Sequence, residues 1–317
     1  MARIFITGGG GFVGAAIAER LARRGDEVAA FDIVESPRLK ELRAELPNLA
    51  FYPGELTEWS QLAEAMKDFD ADAVIHCAAV VGVLNGASSR LWTMRVNVEG
   101  SLNVLSAMRL CDVKRMINLS SEEVYGAFTG DTIDETHGCF PVKTYGISKF
   151  ATEQLARDFA EENEMEVIHI RTCWVYGPGL PRPRIPKTFI DAAVDGRSLH
   201  LDGGAAYRVD QVYIDDLTEG LVAALDHRTH KHDVYHITTG QAPSLGQMVD
   251  WIREIVPGAD ISISSGPYQV GPGVVAVRKG ALDCSRARDA FGYQPKFTLR
   301  DGLEACVAAR RRMQQDV

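Results

Sequence analysis

Tyr145 and Lys149 stand four residues apart in Thr144-Tyr145-Gly146-Ile147-Ser148-Lys149, a spacing that puts both side chains on one face of a helix. A tyrosine phenol has an ordinary pKa of about 10, too high for a base near neutrality. An ammonium one turn away, together with a positive nicotinamide ring, would favour the phenolate. Such a pair takes a proton from an alcohol while hydride leaves the same carbon. Ser121, in Leu119-Ser120-Ser121-Glu122-Glu123-Val124-Tyr125-Gly126, is the hydroxyl expected to hold that alcohol in place. Glu122 and Glu123 offer a further acid/base pair, or groups that orient substrate or cap a turn.

The hydride needs an acceptor, and the first residues of the chain provide for one. Ile4, Phe5 and Ile6 form a short apolar strand closed by Thr7, glycines recur at Gly8, Gly11 and Gly14, and an amphipathic run follows from Ala15 to Arg24. A turn this tight needs positive φ angles and no Cβ where a pyrophosphate approaches, and the helix behind it offers free N–H groups and its positive dipole end. A second strand, Glu27 to Phe31, ends in Asp32, where a dinucleotide fold places the acid that takes the ribose hydroxyls. Ile33 and Val34 follow with no adjacent arginine. A carboxylate there repels a 2′-phosphate, so NAD is expected over NADP; Arg38, nearby in sequence, is the one opposing feature.

The elements that must carry these residues alternate. Helical spacing runs through Trp59 to Phe69, Ser89 to Arg109 (Leu91, Met94, Val98, Leu102, Leu105 and Met108 on one face) and Lys149 to Asn163 (Phe150, Leu155 and Phe159 buried). Between them lie strands at Ala73 to His76, Arg115 to Leu119 and Val167 to Ile170. The pattern predicts an α/β fold, a doubly wound parallel sheet of the Rossmann type covered on both faces. Beyond it, Gly177 to Pro186 is too rich in proline for a regular element and reads as a loop over a site. Helices are expected at Lys187 to Asp195, Asp215 to Asp226, Leu245 to Val256, Ser285 to Phe291 and Leu299 to Arg312. Short strands are expected at Val209 to Ile214, Val234 to Ile237 and Asp260 to Ser264. The division predicted is a dinucleotide-binding domain over 1–171 and a smaller, mixed substrate-binding part over 172–317, with some segments returning to the first sheet.

Bulk properties narrow the partners. The chain has 317 residues, 46% hydrophobic and 24% charged, with a formal net charge of −9, which repels nucleic acid and anionic membranes. Six cysteines without a C-x-x-C pair read as reduced thiols in a cytoplasm. No apolar run approaches a membrane span, and a core strand beginning at residue 3 leaves no signal sequence. His227, His230 and His232 cluster without a cysteine beside them and read as a solvated loop, with no metal.

In combination these motifs resemble those of the extended short-chain dehydrogenase/reductases, the NAD-dependent epimerase/dehydratase family, over nearly the whole chain. The resemblance implies cofactor contacts at Gly8, Gly11, Phe12, Val13, Gly14 and Asp32. It adds Glu55 and Leu56 beside the adenine, Ala78 and Ala79 at a strand end, Asn97 on the following helix, and the Tyr145 and Lys149 pair. It implies Ser121, Tyr145 and Lys149 as the catalytic set, and Glu122, Glu123, Trp174 and Arg278 at the substrate. Tyr176-Gly177-Pro178, Tyr213-Ile214-Asp215-Asp216 and Phe291-Gly292-Tyr293-Gln294-Pro295 look like the family's C-terminal signposts. Two departures stand out. Trp174 occupies the place of an asparagine that meets substrate phosphates in sugar-nucleotide epimerases, and the arginine expected just before Asp210 is displaced to Arg208. The activity implied is epimerisation of a sugar nucleotide or related sugar through a transient ketone with NAD retained. The rivals are a dehydrogenase of a free sugar, sugar acid or polyol that releases NADH, a 4,6-dehydratase using Glu122 and Glu123, and a non-enzymatic NAD sensor. Family members pair through the two helices around 89–109 and 149–163, which implies a homodimer.

Overall fold

A computed structural model describes residues 2–315. Strands β1 (Arg3–Thr7), β2 (Glu27–Asp32), β3 (Leu49–Pro53), β4 (Ala73–His76) and β5 (Arg115–Ser121) join Glu166–Thr172 and Val234–His236 in one seven-stranded sheet. Every pairing is parallel. From one edge the order is Val234–His236, Glu166–Thr172, β5, β4, β1, β2, β3. The chain thus leaves β1 toward β2 on one side and resumes at β4 on the other. That reversal opens a crevice at the carboxyl ends of β1 and β4, where doubly wound sheets hold their ligands.

Both faces of the sheet are covered, which is why its strands are apolar runs without strict alternation. On one face Ile4, Ile6, Val28 and Ile75 pack with Ile17 and Leu21 of helix α1 (Phe12–Arg24) and with Leu217 and Leu221 of helix Ile214–Asp226. On the other, Phe5, Phe31, Val74 and Met116 pack with helices Trp59–Phe69 and Gly100–Leu110. A further apolar cluster joins Trp174, Tyr176 and Tyr213 to helices Lys187–Val194, Leu245–Ile255 and Leu299–Gln315. Two small parallel ladders serve this part, Trp174–Tyr176 with Gln211–Tyr213 and Leu199–Leu201 with Ile261–Ile263.

The structure corrects several expectations. Helix α1 begins at Phe12, because Gly11 is its N-cap; helix Pro37–Glu45 and strand β3 are elements beyond those the sequence pattern predicts. The helix expected over 89–109 is Arg90–Met94, a π-helical turn Arg95–Glu99 and Gly100–Leu110. Its inward residues are Thr93, Asn97, Ser101, Val104, Leu105 and Met108, while Leu91 is 86% exposed. The extra residue of the π turn rotates the stripe, so a uniform 3.6-residue count misplaces its first turn. The following helix runs Thr144–Asn163, and its fully buried face is polar, carrying Tyr145, Ser148, Lys149, Thr152 and Glu153. Phe150, Leu155 and Phe159 are only partly covered. His230 is not solvated: its ring packs against His227, Tyr235 and Phe291.

Candidate active site

The crevice between β1 and β4 leads into a cavity of about 840 Å³. Its floor is the turn after β1. Of the three spaced glycines only Gly8 has a positive φ, +71°, and a Cβ on it would lie 2.6 Å from the backbone N of Ala78. Gly14 is bare for a different reason: a Cβ there would meet the carbonyl oxygen of Gly8 at 2.0 Å, so glycine lets α1 rest against the turn. Among the described residues no side chain caps the first N–H groups of α1, which leaves those donors and the helix dipole for an anion. At the end of β2, Asp32 accepts N–H bonds from Gly10 at 2.9 Å and Ile33 at 2.7 Å. Burial pushes this carboxyl above its ordinary range, and the backbone N–H groups of Ile33 and Gly10 pull it back. Arg38 is occupied elsewhere, in an ion pair with Glu19 at 2.6 Å.

Phe12, Val13, Glu55, Leu56, Ala78 and Ala79 complete the walls. The set fits a dinucleotide, since a side-chain-free turn, an uncapped helix N-terminus and a carboxylate at the second strand are what a pyrophosphate and ribose require. Asn97 departs from expectation and does not line the cavity. Its Oδ1 accepts from the Val80 N–H at 2.7 Å, and its Nδ2 donates to the Val80 carbonyl at 3.2 Å and to Ser148 Oγ at 2.9 Å. Asn97 therefore braces the wall; the π turn carries it there, and Val80 is the residue exposed to the cavity.

Ser121, Tyr145 and Lys149 open on the same cavity. Ser121 ends β5, and its Oγ accepts the Glu123 N–H at 3.2 Å, which fixes the hydroxyl at the mouth of the turn Glu122–Tyr125. Burial pushes the Tyr145 phenol up to about 12, against the pull of a hydrogen bond from Ser121 and of the charges of Arg184 and Arg182. Burial lowers the Lys149 ammonium to about 8, and its Nζ donates to the Leu119 carbonyl at 2.8 Å. Lys149 is thus anchored to β5. The side-chain cations that act on the phenol are two arginines of the loop 177–186, which sequence reading did not single out.

Behind Ser121, Tyr145 and Lys149 lies a buried polar chain. Arg171 Nη2 meets Glu153 Oε2 at 2.5 Å, Ser120 Oγ donates to Glu153 Oε1 at 2.5 Å, and Arg171 Nη1 donates to Tyr125 Oη at 2.8 Å. Tyr125 Oη lies 2.6 Å from His236 Nε2. Glu153 is one turn beyond Lys149 on the same helix, so this chain holds the helix to β5, to Glu166–Thr172 beside it and, through His236, to the edge strand Val234–His236.

On the substrate side, Glu122 is buried with neither carboxyl oxygen hydrogen-bonded among the described residues. Burial pushes it up to about 8, against the pull of Lys279. Lys279 is buried as well; its Nζ donates to the carbonyls of Glu122 at 3.3 Å and Gly126 at 3.1 Å and lies 3.6 Å from Glu123 Oε2. Between about 4.5 and about 8 unfolding releases the Glu122 proton, so wild-type stability declines as pH rises through that range. Glu122→Gln is expected to melt a few degrees higher than wild type at pH 8.5, with the gap closing by about pH 4; parallel melting curves across that range check it.

Trp174 stands between the main cavity and a second one of about 430 Å³, lining both together with Glu123, Arg182 and Arg184. Its indole lies 5.9 Å from the Tyr268 ring and 6.3 Å from that of Tyr207, with the Arg184 guanidinium 4.6 Å over it. Arg278 lines neither cavity. It is half-exposed and pairs with Asp131 at 2.6 Å, while its neighbour Lys279 faces inward. The bond from the Phe128 N–H to the Arg278 carbonyl fixes that alternation.

Comparison with known proteins agrees with this geometry. Residues 4–238 match the model of the NAD-dependent epimerase/dehydratase family. The chain is 27% identical to a low-salt glycan biosynthesis protein of Haloferax volcanii, over 96% of its own length and 97% of that protein's. It resembles the structure of UDP-glucose 4-epimerase from Thermotoga maritima with UDP-glucose, at a TM-score of 0.88 and 26% identity, covering 98% of this chain and 99% of that one. MoeE5 in complex with UDP-glucuronic acid and NAD gives a TM-score of 0.86 at 26% identity, with the same coverage.

Proposed function

Because the chain belongs to the NAD-dependent epimerase/dehydratase family, we propose that it epimerises a sugar nucleotide, oxidising one hydroxyl to a transient ketone and reducing it from the opposite face. The observation that carries this reading is that Ser121, Tyr145 and Lys149 share one cavity with the glycine turn and Asp32. NAD, when bound, supplies the acceptor and later the donor of hydride. Ser121 Oγ holds the substrate hydroxyl. Tyr145 Oη takes its proton as the ketone forms and returns it on reduction. The phenol is held near 12 by burial, and positive charge near it moves it toward the working range.

Purified protein is expected to release about one NAD per chain on denaturation and to interconvert UDP-glucose and UDP-galactose without accumulating NADH. Protein that carries no NAD and forms NADH steadily from a sugar acid replaces this reading with the second, a dehydrogenase. That alternative is favoured by Trp174, whose bulky indole cannot make the contact to a diphosphate in the same way as the asparagine of sugar-nucleotide epimerases. No helix among the described residues is long and apolar enough to cross a membrane, and all six cysteines are free thiols, in keeping with a cytoplasmic location.

The same reading includes a homodimer formed through the helices over 90–110 and 144–163. Leu91, Leu110 and Ile147 are 86, 61 and 44% exposed there, apolar side chains that a partner's helices would cover. Sedimentation equilibrium at micromolar concentration is expected to give twice the chain mass. A Leu91→Glu/Ile147→Glu variant is expected to sediment as a monomer, and a wild type that is itself monomeric sinks the pairing.

A further inference from the structure

Each cation in the walls of the two cavities is committed or solvated, with two exceptions. Lys149 is bonded to Leu119 and Lys279 to two carbonyls and Glu123, while Lys143 is exposed at the rim. Arg182 and Arg184 are different. Both are half-buried, and among the described residues neither has a carboxylate oxygen within 4.0 Å. Arg182 Nη1 donates to the Val81 carbonyl at 2.7 Å, and Arg184 lies over the Trp174 ring. These contacts orient the two guanidiniums without neutralising them. Burial and the like charge of Arg184 hold the Arg182 guanidinium below its ordinary value, the behaviour of two cations kept together in a site made for an anion.

Their position says which part of a ligand they meet. The 840 Å³ cavity has Tyr145 in its wall, and the 430 Å³ cavity on the other side of Trp174 is largely apolar and lined by Tyr207 and Tyr268. Arg182 and Arg184 stand in the walls of both. A ligand with its reacting hydroxyl at Tyr145 and its remainder in the aromatic annex passes these arginines at the junction. We propose that Arg182 and Arg184 are the anion receptor of this site, seating a negatively charged group of the substrate, either a diphosphate or a carboxylate on the sugar. The proposal rests on the epimerase reading only for where the sugar lies. It also gives Trp174 a role: the indole is the platform that holds Arg184 at the junction.

The test is calorimetric titration of the protein, with NAD added, against UDP, UDP-glucose, UDP-glucuronate and free glucuronate. Arg182→Gln and Arg184→Gln are each expected to weaken the anionic probes about 10-fold and the double variant about 100-fold, with unchanged melting temperature. Arg→Lys variants are expected to recover part of the loss. Weakening of UDP and UDP-glucose identifies the diphosphate as the group seated; weakening confined to UDP-glucuronate and glucuronate identifies the carboxylate. Trp174→Leu should behave as Arg184→Gln does, and Trp174→Phe nearly as wild type. Wild type that binds none of the four probes, or a double variant that binds them all within twofold of wild type, overturns the proposal. Tight arginine-dependent binding in a protein that neither carries NAD nor epimerises removes the epimerase reading and leaves the receptor standing.

Discussion

Tyr145→Phe is expected to lower kcat about 10³-fold while leaving NAD content and melting temperature within experimental error, because it removes one oxygen atom and nothing else. General acid/base catalysis by a positioned side chain contributes roughly 10²- to 10⁴-fold, and no other group in the cavity is placed to substitute for it. Glu123 is held beside Lys279, burial disfavours the carboxylate form of Glu122, and Lys149 is bonded to Leu119. The phenol contributes little to folding: it is buried but belongs to a cavity wall, so the variant is expected to remain a faithful frame for ligand binding. KM for the substrate should change far less than kcat, since the proton moves only in the reacting complex. A variant retaining more than about a tenth of wild-type kcat removes Tyr145 from the role given to it.

The largest effect on stability is expected at Glu153. Its carboxylate is wholly buried, and its partner Arg171 is 3% exposed, so Glu153→Ala leaves a guanidinium uncompensated in a low-dielectric interior. Breaking such a pair costs about 3–5 kcal/mol. At the usual entropy of unfolding per residue this is a fall in Tm of roughly 4–8 °C. Glu153→Leu combined with Arg171→Met, which removes both charges, is expected to recover a large part of that loss. The hydrogen bonds and charge of Arg171 hold the Glu153 carboxyl below its ordinary value, against the effect of burial. Its contribution is therefore complete above the unfolded value of 4.5 and is lost as pH falls through the lower folded one. Thermal melts from pH 7 to pH 3 are expected to bring wild type and Glu153→Ala together at the acid end. Equal melting temperatures at pH 7 contradict the assignment of this pair as the brace between catalytic helix and sheet.

Much of the site was legible before any coordinates because its parts are local. Gly8, Gly11 and Gly14 form one turn and the helix start behind it, and Tyr145 and Lys149 are a single helical turn apart, so sterics and helix geometry place them without help from the rest of the chain. The strand that ends in Asp32 follows the same rule within one βαβ unit. The doubly wound parallel sheet followed from alternating apolar runs and helical stripes. Where prediction slipped, a nonlocal cause is visible. The stripe of the helix before β5 was displaced by a π turn at Asn97, whose side chain bonds to Val80 from behind the cavity wall. The buried face of the catalytic helix proved polar because Glu153 is matched by Arg171 from a different strand, a pairing that periodicity cannot reveal.

By itself, then, the amino-acid order determined the glycine turn, the acid at the end of β2, the juxtaposition of Tyr145 and Lys149 and the parallel sheet, because each depends on neighbours within a few residues or on repeating hydrophobicity. Tertiary structure alone decided which distant charges face the Tyr145 phenol, that Arg278 turns out to Asp131 while Lys279 turns in, and that burial raises the Glu122 carboxyl. Those outcomes depend on how deeply a group is removed from water and on what the folded chain brings to within a few ångströms of it. Neither quantity is defined until segments far apart in sequence have packed together.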